Sequence, residues 1–310
     1  MDQVALDQRL LVVALGEYEL AHAFLQRLVL EDRLRLGLLL FFLLLCDQPG
    51  GGDQPQRQSG QNDTSGEHHV FHAIGGFYNS GFKDALVLVV DGMGNPSTKD
   101  SDMHEVASLY TMQKDPFVLN CLAKQETPKH HSEKWRSRET HLDHWPMGIG
   151  MAYASVSAYL GFGTLGSGKT MGLAPYGKED DNIKPFILEN NLVNSKLFYR
   201  SHDGCVFIPY DYLPESWNYR EWNDDVQKIA NLAYRLQKDF EKWMTNTIVS
   251  GLKQTGKKNI VLSGGCAMNC VANYEYLKHL PKGVKMFVDP LCQDAGTSVG
   301  LAKYLYYSKQ

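Results

Sequence analysis

His68 and His72, in the run EHHVFHA (67–73), stand four residues apart. On a helix that spacing places two rings on one face, about 6 Å apart, and neutral imidazole is a common ligand for transition metals. A carboxylate follows at the end of an apolar run, ALVLVVDG (85–92), which makes Asp91 a third candidate ligand. A second carboxylate, Asp294 in QDAGTSVG (293–300), sits where a helix should open. It is either an N-cap worth about 1 kcal/mol or the fourth member of a His/His/Asp/Asp metal site. An isolated HxxxH also suits a polar helix face or partly buried rings satisfied by their neighbours. The histidines at 130, 131, 141 and 144 have no clean ligand spacing. Cys266 and Cys270 are four apart but flank a loop and a helix start, so packing is the expectation for them.

Two glycine-rich turns could approach a phosphate or a nucleotide. GTLGSGKT (163–170) fits the phosphate-binding pattern GxxxxGK[ST]. That motif works only when a strand precedes the glycines and a helix follows the Lys-Thr, so that backbone N–H groups cradle the anion. Here AYASVSAYLGF before it reads as helix, MGLAPYG (171–177) after it reads as loop, and the carboxylate-ended strand precedes the motif. A P-loop NTPase is therefore the weaker reading, although Lys169 in a glycine-rich loop can still meet an anion. The other turn, LSGGCAMNCVAN (262–273), ends a strand on Gly264-Gly265 and places Asn269 near a helix start. Glycine lets backbone approach a ligand closely, and an amide both donates and accepts, which suits a ribose or base. The competing reading is a tight turn with a capping asparagine.

The elements that must position these residues follow from hydrophobic pattern. Ala85–Val90 reads as a buried strand, with Ser108–Met112 returning beside it and a tight turn at Gly92 and Gly94. Residues 150–160 read as helix. The clearest helix is 224–254, with Ile229, Leu232, Ala233, Leu236, Phe240, Trp243 and Met244 at helical spacing. Residues 258–263 form a strand, a helix runs from about 267 to 279, 284–288 is another strand, and a last helix extends from Asp294 through Tyr307. The alternation implies α/β layers with chemistry in the loops at strand ends.

Composition bounds the class. The 310 residues are 43% apolar and 21% charged, with a net charge of −4. These values are ordinary for a globular protein, and nothing in the charge points to nucleic acid or an anionic membrane. Six scattered cysteines and no signal-peptide pattern favour a reducing cytoplasm. Residues 1–65 differ from the rest. The apolar run 36–45 is too short for a bilayer, which needs about 20 residues, and 47–66 (DQPGGGDQPQRQSGQNDTSG) reads as disordered linker. This segment is either an appended amphipathic helix with its linker or a gene-model artefact.

Taken in order, EHHVFHA, SGFKDALVLVVDGMG, GSGKTMGLAPYGK, LSGGCAMNCVAN and DPLCQDAGTSVG resemble the NodU-type O-carbamoyltransferase family over residues 66–310. The resemblance implies a Kae-like domain of the actin/sugar-kinase/Hsp70 superfamily (RNase H-like), with its second half intact and its first half missing or replaced. It implies His68, His72, Asp91 and Asp294 as metal ligands, with iron typical of the family. It implies phosphate- and adenosine-facing roles for Gly92, Gly94, Gly264, Gly265 and Asn269, and a place for Lys169 and Gly172 in the substrate cleft. The implied ligand is a carbamoyl-adenylate made from carbamoyl phosphate and ATP. The implied reaction is attack on it by a hydroxyl of a small-molecule or saccharide acceptor, with His72, Asp91 and Lys169 as catalytic candidates. The family's C-terminal YrdC-like domain is expected to be absent here, so a separate YrdC-like polypeptide would supply the adenylate. A truncated, non-catalytic remnant that still binds nucleotide or metal is the alternative.

Overall fold

The computed structural model describes residues 68–96, 103–128, 147–200, 206–207 and 226–307. The segment 1–65 and the histidines at 130, 131, 141 and 144 lie outside these, and so do the expectations attached to them.

A five-stranded sheet organises the described residues. Its central strand β1 (Asp84–Val90) is buried from Ala85 onward. Both faces are covered, which is why it reads as a continuous apolar run rather than an alternating one. β2 (Met103–Gln113) and β3 (Val118–Pro128) extend the sheet antiparallel on one side. A two-stranded ribbon, β4 (Tyr199–Arg200) and β5 (Val206–Phe207), stands apart from it. On the other side of β1, β6 (Asn259–Ser263) and β7 (Lys285–Val288) pair in parallel, giving the order β3-β2-β1-β6-β7. This is a mixed α/β sheet, the class that the alternation of elements predicts.

Side chains of β1 alternate between two cores. Ala85, Val87 and Val89 join Val261, Tyr110 and Met112 under α1 (His68–Ser80), whose Val70, Ala73, Ile74 and Phe77 complete that layer. Leu86, Leu88 and Val90 face the opposite layer. That layer holds α2 (Ile149–Tyr159) and the 30-residue α4 (Val226–Thr255), with Leu232, Leu236, Phe240 and Ile248 buried. α5 (Cys270–His279) follows β6, and α6 (Ala295–Tyr307) follows β7 and lies against α1. No described helix is long and apolar enough to cross a membrane.

Two expectations need correction. MGLAPYG is not loop: Met171–Leu173 complete the helix α3 (Ser167–Leu173), and Ala174–Tyr176 form a 3₁₀ turn. Pro175 is no obstacle in a first turn, where its missing N–H has no helical partner. Thr170 anchors α3 by burying its hydroxyl, which donates to Ser157 Oγ at 2.8 Å. Tertiary contact thus outweighs the poor propensity of Gly168 and Gly172. Likewise, the helix expected near 267 starts later. A 3₁₀ turn (Gly265–Met268) comes first, and α5 opens at Cys270 behind its N-cap, Asn269.

Candidate metal centre

Three separate stretches bring four ligand-type side chains to one point. His68 opens α1 and His72 lies one turn on, so both Nε2 atoms project from the same face, 3.0 Å apart. Asp91 leaves the C-terminal end of β1, and its Oδ2 is 3.1 Å from His68 Nε2 and 3.8 Å from His72 Nε2. Asp294, just before α6, puts Oδ1 at 3.5 and 3.7 Å from the same two nitrogens. One ligand atom from each residue falls within 4.8 Å of all the others.

Glycines let the elements converge. A Cβ on Gly300 of α6 would overlap the Phe71 carbonyl oxygen and lie 2.6 Å from its carbon. Gly75 of α1 faces Gly296 and Gly300 backbone at 3.5 Å. The two helices therefore touch backbone to backbone, which delivers the Asp294 end of α6 to the histidine face of α1. On the sheet side, Asp91 Oδ1 accepts from Gly92 N (2.7 Å) and Gly265 N (3.3 Å), leaving Oδ2 turned to the histidines. Gly264 makes the second contact feasible. Its φ is +84°, a region closed to most L-residues, and a Cβ there would overlap the Val90 carbonyl oxygen.

Electrostatics divides the histidines. Burial pushes down the His72 pKa, and neighbouring His68 adds to the effect, so His72 offers a neutral imidazole. Burial acts the same way on His68, but Asp91, Asp294 and Glu105 outweigh it and the net shift is upward. Burial opposes ionisation of Asp91, yet its hydrogen bonds with His68 and Gly92 N–H hold it well below the usual carboxylate range. His69 points the other way, into the protein, where burial drives it down to about 3 and its Nδ1 meets Ser108 Oγ at 2.7 Å.

The donor set fits a divalent cation. Bond lengths of 2.0–2.2 Å place neighbouring ligand atoms about 2.9–3.5 Å apart, against 3.0–3.8 Å for the His–His and His–Asp separations and at most 4.8 Å across the whole set. His68 Nε2 carries at most one proton but faces His72 Nε2, Asp91 Oδ2 and Asp294 Oδ1, all within 3.5 Å. One N–H cannot serve three acceptors, whereas a cation serves all four ligands together.

The remaining sequence candidates lie elsewhere or play other parts. Gly92 and Gly265 present N–H groups to Asp91, and a Cβ on Gly94 would lie 3.2 Å from the His68 ring. Asn269 is committed inside the fold. Its Oδ1 accepts from Ala272 N and Gln237 Nε2, and its Nδ2 donates to Gln237 Oε1. Lys169 and Gly172 are exposed on α3. α2 starts against Asp91, where a Cβ on Gly150 would lie 2.5 Å from the Asp91 backbone carbonyl oxygen. Ser157, which holds Thr170 of α3, is about 10 Å further along the helix. The P-loop reading fails on two counts: helix α2, not a strand, leads into the glycines, and the Thr170 hydroxyl is buried against Ser157. Sequence reasoning passed over Glu105, whose carboxylate is buried beside the start of α1. A lone charge in the strand run EVASLYTM was the available signal.

Comparison with known proteins identifies the family. Residues 51–303 match the family described as the carbamoyltransferase N-terminus. The chain is similar to the nodulation protein NolO of Bradyrhizobium diazoefficiens, 28% identical over 237 residues, 76% of this chain and 37% of that protein. It is also similar to the nodulation protein NolNO of Sinorhizobium fredii, 26% identical over 76% of this chain and 30% of that one. A Synechocystis protein, sll1178, is 26% identical over 78% of this chain and 36% of its own length. The chain thus spans about a third of the curated relatives it matches. Among solved structures, full-length HypF in a phosphate- and nucleotide-bound form aligns with a TM-score of 0.46 at 14% identity, over 77% of this chain and 42% of that one.

Proposed function

Because this chain belongs to the carbamoyltransferase N-terminus family, we propose that it carries the transfer site of an O-carbamoyltransferase. The donor in this reading is a carbamoyl-adenylate derived from carbamoyl phosphate and ATP, and the acceptor is a hydroxyl of a small molecule or saccharide. The carrying observation is the convergence of His68, His72, Asp91 and Asp294 within 4.8 Å.

These four side chains would hold a divalent cation, iron by family resemblance, which when bound supplies a Lewis acid to the carbamoyl carbonyl. The protein's own groups do the rest. Asp91, kept ionised and oriented by Gly92 and Gly265, holds negative charge at a fixed place at the mouth of the parallel strands. The Asp294 side chain is 77% exposed, so of the four it is the one facing solvent, on the side where an acceptor can enter. An Asp294 oxygen not engaged in holding the cation would be available to take the proton of an attacking hydroxyl. The exposed ammonium of Lys169 is offered to a phosphate of the donor.

The test pairs binding with chemistry. The chain is incubated with Fe²⁺, synthetic carbamoyl-adenylate and a panel of hydroxylated acceptors, and AMP release is compared with carbamate formation. The reading predicts acceptor-dependent AMP release that His68→Ala and Asp294→Asn abolish. Cation binding without transfer would instead support a non-catalytic remnant.

A further inference from the structure

The proposed metal site depends on a ligand at the start of a helix. His68 is the first residue of α1, and helix ends fray unless their unpaired N–H groups are satisfied. Here β2 contributes a partner for one of them. Glu105 Oε2 accepts from the backbone N–H of His69 at 3.1 Å. Its Oε1 lies 2.6 Å from Lys124 Nζ of β3. The carboxylate is 2% exposed, an expensive place for a charge without such partners.

The same residue acts on the other side of His68 through its backbone. Gly94 N donates to the Glu105 carbonyl at 2.7 Å, and Glu105 N donates to Asn95 O at 3.3 Å. Gly94 is the wall against which the imidazole edge rests: a Cβ there would stand 3.2 Å from His68 Cδ2 and 3.4 Å from Glu105 Cβ. Glu105 thus grips the backbone that follows His68 with its side chain and the turn that flanks the ring with its main chain.

We infer that Glu105, with Lys124 as its counter-charge, is a positioning residue that aims His68 Nε2 into the four-ligand cluster. The inference rests on the metal reading above. A purely structural role would lower the stability of the protein without changing how the folded protein holds a cation. A positioning role changes the ligand geometry itself, because metal ligands tolerate only a few tenths of an ångström.

The experiment uses the whole chain and Co²⁺, whose visible absorption reports ligand geometry. Four proteins are titrated: parent, Glu105→Ala, Glu105→Gln and Leu236→Ala. The last removes a buried side chain of α4 in the opposite core layer and serves as the destabilised control. All titrations are run well below each variant's chelated Tm. The expected result is a 10- to 100-fold weaker Co²⁺ affinity and an altered absorption band for Glu105→Ala. Glu105→Gln, which retains an acceptor for His69 N–H, should recover most of both. Leu236→Ala should lose Tm but keep parental affinity and spectrum. If Glu105→Ala does not fold, Glu105→Leu, similar in volume but without an acceptor, takes its place. Parental affinity and spectrum in Glu105→Ala, or an equal loss in Leu236→Ala, would overturn the inference. Failure of the parent to bind Co²⁺ or Fe²⁺ brings down the metal reading itself, and this inference with it.

Discussion

Replacing Gly300 with alanine tests whether the α1–α6 approach builds the cluster. Helix propensity alone says that the change should help, since alanine in a helix interior is favoured over glycine by about 1 kcal/mol. The structure predicts the opposite. The new methyl would stand 2.6 Å from the Phe71 carbonyl carbon and 3.1 Å from its Cα. Ordinary carbon–carbon contact needs about 3.5 Å, so α6 must withdraw from α1 by about 1 Å. Backbone, not a flexible side chain, is in the way. Overpacking of this kind costs about 1–3 kcal/mol, which outweighs the propensity gain. The shift also carries Asp294 away from the histidines, from separations of 3.5 and 3.7 Å. No ligand is altered, yet Co²⁺ affinity should fall about 10-fold or more. Isothermal titration with Co²⁺ and thermal unfolding of the chelated protein read the two effects. Gly168→Ala on α3, where nothing lies within 4 Å, is the control and should be neutral or slightly stabilising. If Gly300→Ala is as stable as the parent and binds Co²⁺ equally well, the close contact does not position Asp294.

Other expectations follow from the same geometry. Gly264→Ala forces a side chain into a positive-φ position against the Val90 carbonyl; it should cost several kcal/mol in a denaturant series and weaken Co²⁺ binding by freeing Asp91. His69 has a folded pKa of about 3 against an ordinary 6.5. Its contribution to stability is therefore present above 6.5 and lost as pH falls toward 3, at no more than about 1.4 kcal/mol per pH unit. Urea titrations of the chelated protein should show that acid-side slope reduced in His69→Gln, and an unchanged slope would refute the assignment. Lys169→Ala should leave Co²⁺ binding intact, because α3 stands about 10 Å along α2 from the cluster, while raising the KM for carbamoyl-adenylate.

Much of this was legible in the sequence where local pattern and tertiary placement agree. Ala85–Val90 is apolar throughout because both sheet faces are covered, and the run breaks at Asp91, where the strand ends. The four spacing signals at 68, 72, 91 and 294 meet in space as the motif order implied. The site was harder to read where the deciding contact is remote in the chain. Whether Asn269 faces a ligand or caps α5 depends on Gln237, 32 residues earlier. α3 depends on a Thr170–Ser157 bond that no propensity anticipates, which is why its glycines and Pro175 suggested loop. Glu105 reaches a backbone N–H 36 residues away. A strand carboxylate becomes interpretable only once the helix above it is placed.

α6 has little burial of its own: only Gly296 and Gly300 are fully enclosed, and Leu305 and Tyr306 stand in solvent. At its far end it is held by the stack of Tyr307 on Tyr78, with ring centroids 4.0 Å apart, by a hydrogen bond from Lys303 to Asn79 and by Tyr304 beside Phe71. An ion bridging Asp294 to Asp91, about 200 residues earlier in the chain, would therefore act as a removable cross-link closing a very long loop. Amide hydrogen exchange in α6 should then track metal loading more closely than exchange in any strand of the sheet. The last helix becomes a gauge of site occupancy that can be read without turnover.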